Sequence, residues 1–393
     1  MTTRELCYDD ICCGCGACVV RCPQNAISIM ENEYGFTYPS IDSNRCIDCE
    51  ACKNICSFNN EKIVHKFKCY ASGNQNDDLL MKSASGGVFS AIAYNFIKEG
   101  GYVCGSASFF KNGKASVEHI IINQLEDLYQ LQGSKYVQSN TVDCFKEIGK
   151  LLKNGSKVLF SGTPCQVDAV KALYKKYSGI SLFTIDIICH GVPSQSFFNG
   201  YLKEYQKKKK SELYYIDFRN KKYGWGLTGI AKFKDGHEET ITPEKSSYYR
   251  YFLDGEIYRE NCYKCPYANL NRVGDMTIGD YWGVEKYSPE LLEKGNLFKE
   301  KGISCLLTNN DAGEKLLFEY GTQLVTYPVQ IDKILKINTQ LKEPAKHSEK
   351  RQIILKKFRY KGYGEVEKAF NRALVWGKIK SMIKNIIKKV IGK

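Results

Sequence analysis

The chain has no run of eighteen apolar residues, so nothing in it is expected to span a bilayer as a helix. Met1 to Leu6 resemble neither a signal nor a transit peptide. There is no Walker loop and no dinucleotide fingerprint, which argues against direct use of NAD(P)H. Low-complexity tracts are also missing. A general basic surplus is missing too, although the net charge is +14. Residues 346–393 hold 15 Lys or Arg against 3 Glu, so the first 345 residues carry only +2. A nearly neutral body with a basic tail does not support nucleic-acid binding. What remains is a 393-residue chain with 43% hydrophobic and 12% aromatic residues, globular and long enough for two or three units.

Cysteine is what the chain has in excess. Cys12, Cys15, Cys18 and Cys22 are separated by two, two and three residues, and Cys46, Cys49, Cys52 and Cys56 repeat those gaps 34 positions later. This is the run that holds two cubane clusters in a bacterial-type ferredoxin, where three close cysteines wrap one cluster and the fourth reaches its neighbour. The spacing therefore assigns Cys12, Cys15, Cys18 and Cys56 to one [4Fe-4S] cluster, and Cys46, Cys49, Cys52 and Cys22 to the other. Pro23 follows Cys22 as that pattern requires, while Ser57 stands where a second proline would follow Cys56. Cys13 is out of phase and reads as a bystander. Eighteen cysteines without a secretory signal fit a reducing, cytoplasmic setting better than a disulfide scaffold. Structural zinc gives no reason for two interlocked sets of four.

Beyond a polar linker near Asn59 to Lys68, helix and strand patterns alternate. A helix is expected over Val88–Ile97, ended by Gly100-Gly101, with strands at Cys69–Ser72, Tyr102–Phe109 and Val117–Ile122. The spacing then predicts a helix over Val142–Leu152, a strand over Lys157–Ser161, a helix over Gln166–Tyr177 and a buried strand over Ile180–Ile188. A helix over Ser194–Lys209 and strands at Leu213–Phe218, Leu227–Phe233 and Glu238–Ile241 follow. The fold class is α/β to α+β: a small ferredoxin-like unit (1–60), a mixed-sheet α/β unit (65–345) and a basic tail (346–393). In the tail, Val375, Ile379, Met382, Ile383, Ile386, Ile387, Val390 and Ile391 recur at helical spacing, with lysines between them. That pattern suits a helix lying on an anionic membrane surface, or equally one docked on the body or a partner.

Small residues at Ser85-Gly86-Gly87 precede the helix at Val88, where backbone amides meet an anion or simply cap the helix. Cys165 and Cys189 each follow a strand, at the carboxyl edge where ligands collect in α/β units, and Cys262 and Cys265 stand at metal spacing. By spacing alone those four serve a third cluster, a zinc ion or plain buried thiols.

Six motifs resemble the coenzyme F420 hydrogenase/dehydrogenase beta-subunit family, in order over about residues 65–310. They are Ser83-Ala84-Ser85-Gly86-Gly87, Gly133-Ser134-Lys135-Tyr136-Val137-Gln138-Ser139 and Gly162-Thr163-Pro164-Cys165-Gln166. Cys189-His190-Gly191-Val192-Pro193, Cys262-Tyr263-Lys264-Cys265-Pro266-Tyr267-Ala268 and Gly279-Asp280-Tyr281-Trp282-Gly283 complete them. The resemblance implies a bound FAD, with Ser85, Gly86, Gly87, Ser134, Lys135, Tyr136 and Gln138 as contacts. It also implies a third [4Fe-4S] cluster on Cys165, Cys189, Cys262 and Cys265. Tyr281 and Trp282 are a flavin platform or core aromatics. His190 is a proton donor or a structural histidine. The expected activity is an iron–sulfur flavoprotein oxidoreductase acting on coenzyme F420 or another organic substrate and exchanging electrons with a carrier protein or partner subunit. The alternatives are a pure electron-transfer subunit and a structural metal-binding protein.

Overall fold

A computed structural model of the chain describes residues 11–59 and 66–391. The N-terminal unit is an antiparallel hairpin of β1 (Ile27–Glu31) and β2 (Thr37–Ile41), flanked by the short helices Ala17–Arg21 and Ala51–Asn54. Each helix starts after a residue in the left-handed region, Gly16 (φ 75°) and Glu50 (φ 55°). Two residues earlier Gly14 (φ 67°) and Asp48 (φ 54°) are left-handed as well. The 34-residue offset of the cysteines is thus an offset of backbone conformation. Glycine takes this region without strain, whereas Asp48 and Glu50 hold it at roughly 1–3 kcal/mol each, as residues at built sites often do.

The body is an eight-stranded mixed sheet. Its strands in chain order are β3 (Lys68–Asn74), β4 (Tyr102–Lys111), β5 (Lys114–Ile122), β6 (Val158–Gly162) and β7 (Leu182–Ile187), then β11 (Met276–Asp280), β12 (Ser304–Thr308) and β13 (Leu324–Pro328). Between β7 and β11, the strands β8 (Leu213–Asp217), β9 (Gly229–Phe233) and β10 (Glu238–Ile241) form a separate antiparallel sheet. The large sheet runs β13-β3-β12-β11-β7-β6-β4-β5, with β11, β7, β6 and β4 parallel and the outer pairings antiparallel. The mixed sheet is as expected. Val158, Leu159 and Phe160, like Leu182, Phe183 and Ile185, are buried because helices cover both faces of the parallel strands.

Helix Val142–Lys153 lies where its period placed it, with Phe145, Ile148 and Leu152 inward. The helix expected over Gln166–Tyr177 instead starts at Pro164 and ends at Leu173. Proline suits the first helical position, and Thr163 with Gln166 forms a capping box. Because β6, β7 and β11 are parallel, the residues after them, Thr163-Pro164-Cys165, Ile188-Cys189-His190 and Tyr281-Trp282, leave the same edge of the sheet.

The N-terminal unit is packed onto the body. Ala17 shares a core with Phe145, Phe160 and Val167, and Phe36 shares another with Phe197, Tyr248 and Tyr258. Only part of the expected linker can be placed, since residues 60–65 lie outside the described ones. The C-terminal helix Tyr363–Ile391 buries Tyr363, Val366 and Phe370, and beyond them Val375, Trp376, Met382 and Ile383 face outward. Among the described residues, no helix is long and apolar enough to cross a membrane.

Candidate functional site

In the N-terminal unit the two cysteine sets interlock. Cys18 is half-buried, and its thiol is pushed up first by desolvation and then by the charges of Cys15, Cys12 and Cys56. Cys52 is pushed up by desolvation and then by Cys22 and Cys46. Sulfurs crowded around these two form a site that a cationic iron–sulfur core would relieve. Cys22, Cys46, Cys49 and Cys52 line one small hollow of about 30 Å³ together with Ala26 and Ile27. Backbone amides already aim at sulfur: Gly14 N donates to Cys12 Sγ at 3.4 Å and Ala26 N to Cys22 Sγ at 3.3 Å. The donor set, the hollow and the amides fit a pair of clusters.

The two copies differ in surroundings. Cys49 and its neighbours Ile47, Asp48 and Glu50 are exposed, whereas Cys13 and Ala17 in the first copy are buried. A Cβ on Gly14 would stand 2.7 Å from Gln138 Nε2 and 2.9 Å from Thr37 O, so only glycine lets the body close over that loop.

The sheet edge beneath it carries the four body cysteines. Cys165 enters from the capped helix after β6, with Thr163 Oγ1 3.2 Å from its sulfur. Cys189 comes from the loop after β7, and Cys262 and Cys265 from the turn Glu260–Lys264 and the residue after it. They are mutual electrostatic neighbours: burial raises Cys189, with further rises from Cys262, Cys165 and Cys265. Burial lifts Cys262 to about 12 and Cys265 to about 11, each raised further by other members of the set. Cys165 alone is lowered, to about 7, chiefly by a hydrogen bond from Cys13, helped by Thr163 and by the Arg259 charge. No three His, Cys, Asp or Glu among the described residues converge tightly enough for a single metal ion. Four half-buried thiols that raise one another's pKa are a donor set that could hold a cubane.

Cys13 therefore has a place that its phase in the sequence did not give it. It is buried, and its thiol is pushed up first by Cys15 and Cys165, one from each neighbouring set, and then by burial. Below it Ser57 Oγ and Tyr267 Oη are 3.1 Å apart, and Tyr267 Oη donates to Asp168 at 2.9 Å.

Along the same edge lies a cluster of mostly buried polar and aromatic side chains. Arg219 pairs with Asp280 at 2.8 Å, donates to Ala84 O, and stacks over Trp282 at 4.9 Å. Trp282 lies flat on Trp225, with centroids 4.0 Å apart and planes at 7°, while Tyr281 is wholly buried and bonds Ser288, a core aromatic. Lys221, almost fully buried, donates to Leu80 O and Ser85 O, and burial, then Arg219, lowers its pKa to about 7. Lys135 donates to Gln130 O and Gln132 O and is also lowered to about 7 by burial. Neither lysine makes an ion pair among the described residues. His190 is open to solvent yet ringed by protein; that enclosure, aided by Arg219 and opposed by Asp280, lowers its pKa.

Two of the seven residues expected to touch a flavin are committed elsewhere. Gln138 Nε2 donates to Cys13 O at 3.1 Å and its Oε1 accepts from Arg259, so its amide faces the N-terminal unit. Gly86 is pressed between Ser72 O and Ser304 N, and its lack of a side chain serves strand packing. Ser85 donates to Ile303 O, Tyr136 stacks on Phe252 at 4.1 Å with its hydroxyl 3.4 Å from Arg219, and Ser134 and Gly87 flank the cluster residues in chain. Arg219, Lys221, Trp225 and Arg259 escaped the sequence reading. The run Arg219-Asn220-Lys221-Lys222 was a visible signal, but it has no diagnostic spacing.

Comparison with known proteins gives two family matches. Residues 11–60 match the 4Fe-4S dicluster domain, and residues 155–330 match the family described as the C terminus of the coenzyme F420 hydrogenase/dehydrogenase beta subunit. A curated relative, the F subunit of the F(420)H(2) dehydrogenase of Methanosarcina mazei, is 20% identical over 307 residues, 74% of this chain and 82% of the relative. Among solved structures, the xenon-derivatised F420-reducing [NiFe] hydrogenase complex of Methanosarcina barkeri includes a similar chain. The match has 16% identity and a TM-score of 0.48, and covers 75% of this chain and 93% of that one.

Proposed function

We propose that this chain, which joins a 4Fe-4S dicluster domain to the C-terminal region of a coenzyme F420 hydrogenase/dehydrogenase beta subunit, is an oxidoreductase component passing electrons between a protein carrier and a flavin-held organic substrate. The observation that carries the reading is the continuous order of cysteine sets. The set of Cys22, Cys46, Cys49 and Cys52, with Cys49 exposed, comes first, then the half-buried set beside the buried Cys13 and Ala17 (Cys12, Cys15, Cys18, Cys56), then the half-buried body set (Cys165, Cys189, Cys262, Cys265). Cys13 lies between the last two. Bound clusters would supply single-electron steps and a bound FAD would supply exchange in pairs.

The protein's own part is to hold these groups in line and exclude water between them. Lys221 and Lys135, buried or half-buried with only carbonyls as partners, favour an anion such as the FAD diphosphate beside Gly87, Ser134 and Tyr136. Trp225 and Trp282 offer a flat face for a ring. His190, exposed beside the Arg219–Asp280 pair and held below its ordinary pKa by its enclosure, would give or take a proton there. The substrate is F420 or another hydride-exchanging organic molecule.

At the other end, the exposed Cys49 lies in a groove of about 730 Å³ lined by Arg21, Lys153, Lys175 and Lys176 and by no carboxylate. That charge favours a carrier with an acidic surface. A reducing, cytoplasmic setting suits a chain this rich in thiols. The apolar face at Val375, Trp376 and Met382 suits peripheral attachment to an anionic membrane.

A second reading, an electron-transfer subunit whose substrate site lies on a partner, is favoured by the commitment of Gln138 and Gly86 to internal contacts. Iron and flavin content after anaerobic purification separates the two. About twelve irons with one FAD per chain support the first reading; about twelve irons with no flavin support the second. About eight irons would remove the body cluster from both.

A further inference from the structure

Arg259 is fully buried, yet it makes no ion pair among the described residues. Its guanidinium is spent on neutral acceptors: Nε donates to Cys12 O at 2.8 Å, Nη2 to Thr37 O at 2.6 Å and Nη1 to Gln138 Oε1 at 3.0 Å. Its charge lies over the Tyr38 ring at 4.1 Å. Its own backbone belongs to the body: Arg259 N donates to Val192 O, three residues past Cys189, and Arg259 O accepts from Cys262 N. One residue thus ties together the loop of the enclosed N-terminal cysteines, the strand β2, and both loops that carry Cys189 and Cys262.

A buried, unpaired cation is expensive, and carbonyl dipoles offset only part of that penalty. A four-thiolate iron–sulfur cluster is a net anion, more so when reduced. Two such anions flanking Arg259 would supply the missing counter-charge.

We propose that Arg259 is a shared positioning residue and counter-charge, fixing the spacing between the enclosed N-terminal cluster and the body cluster while stabilising the reduced form of each. This rests on the cluster assignments above. Gln138 is its accessory: it accepts from Arg259 and donates to Cys13 O and, at 3.5 Å, to Gly14 O, so it sets the guanidinium against the loop.

The test is an anaerobic redox titration of the full chain followed by electron paramagnetic resonance, with iron counted in every sample. In Arg259→Gln, both midpoints are expected to fall, leaving the reduced-to-oxidised ratio at the wild-type midpoint roughly tenfold lower or less for each cluster. In Arg259→Lys the charge stays and the fork is lost. Midpoints should return towards wild type, while the spin–spin broadening between the two clusters weakens. Unchanged midpoints in Arg259→Gln with full iron overturn the counter-charge. Unchanged broadening in Arg259→Lys overturns the positioning role. If Arg259→Gln does not accumulate, Gln138→Leu decides: weakened broadening at unchanged midpoints is expected, and wild-type broadening overturns the proposal. Wild-type protein with only about eight irons would instead sink the body-cluster reading.

Discussion

Asp186 and Arg272 form an ion pair in the interior behind the body cysteines, with side chains 0% and 2% exposed. Asp186 Oδ1 accepts from Arg272 Nη2 at 2.6 Å and Nε at 3.2 Å, and Oδ2 accepts from Gly274 N at 2.8 Å. Arg272 in turn donates to Tyr267 O and Ile187 O, so the pair straps the chain after Cys265 to β7, just before Cys189. Asp186→Asn keeps the shape and removes the charge, leaving a desolvated guanidinium uncompensated and turning an amide N–H₂ towards either Arg272 or Gly274 N. Losing one partner of such a pair is worth about 3–5 kcal/mol. For a chain of this length that corresponds to a fall in Tm of about 4–6 °C. Urea denaturation followed by tryptophan fluorescence should read the loss, and iron analysis should show about four irons fewer as the strap loosens. The double variant Asp186→Leu/Arg272→Met, which removes both charges, should regain most of the stability. A single variant within about 1 kcal/mol of wild type, or a double variant no better than the single, would refute the electrostatic account.

Lys221 gives a pH signature. Its folded pKa near 7 lies below its ordinary value of about 10.5, so between those limits the unfolded chain holds a proton that the folded one lacks, and flavin-free protein should gain stability as pH rises through that window. A flavin diphosphate would call that proton back. FAD affinity of deflavinated protein, read by fluorescence quenching, should therefore weaken from pH 6 to 9 in wild type, keep only part of this slope in Lys221→Met and lose it in Lys221→Met/Lys135→Met, since Lys135 is lowered to about 7 as well; a flat wild-type profile contradicts the anion site. In the groove beside Cys49, the triple change Arg21→Glu/Lys153→Glu/Lys175→Glu should slow reduction by an acidic 2[4Fe-4S] ferredoxin at least about tenfold at low salt and much less at 0.5 M salt. Equal slowing by Lys208→Glu, on a distant helix, would dismiss the groove. Ending the chain at Leu374 should abolish flotation with phosphatidylserine vesicles and leave iron content unchanged; full-length protein that does not float at low salt would dismiss membrane attachment.

How much could be read in advance depended on the distance over which each feature is encoded. The N-terminal cysteines were legible because cluster geometry is written in gaps of two and three residues. The parallel strands β6 and β7 were legible because burial on both faces makes them largely apolar, as in Val158–Phe160 and in Leu182, Phe183 and Ile185. The place of β3 was not: the first strand of the body is clamped between β12 and β13, more than two hundred residues later. The motif around Gln138 is local and was legible, but its partners Cys13 and Arg259, each more than a hundred residues away, were not. The neighbourhood of Cys13 with Cys165 likewise spans the fold and leaves no mark in the spacing.

The twin loops at Gly14 and Asp48 share a backbone but not a freedom to vary. In the enclosed copy a single added carbon would collide with Gln138, Thr37 or Val142, so positions 14 and 16 admit one residue type. In the open copy the matching positions, Asp48 and Glu50, already carry side chains into solvent. Mutation can therefore rewrite the outer rim, altering charge and bulk around Cys49 for a different carrier, without disturbing the loop that meets the body. The duplicated motif behaves as a fixed socket joined to an exchangeable plug.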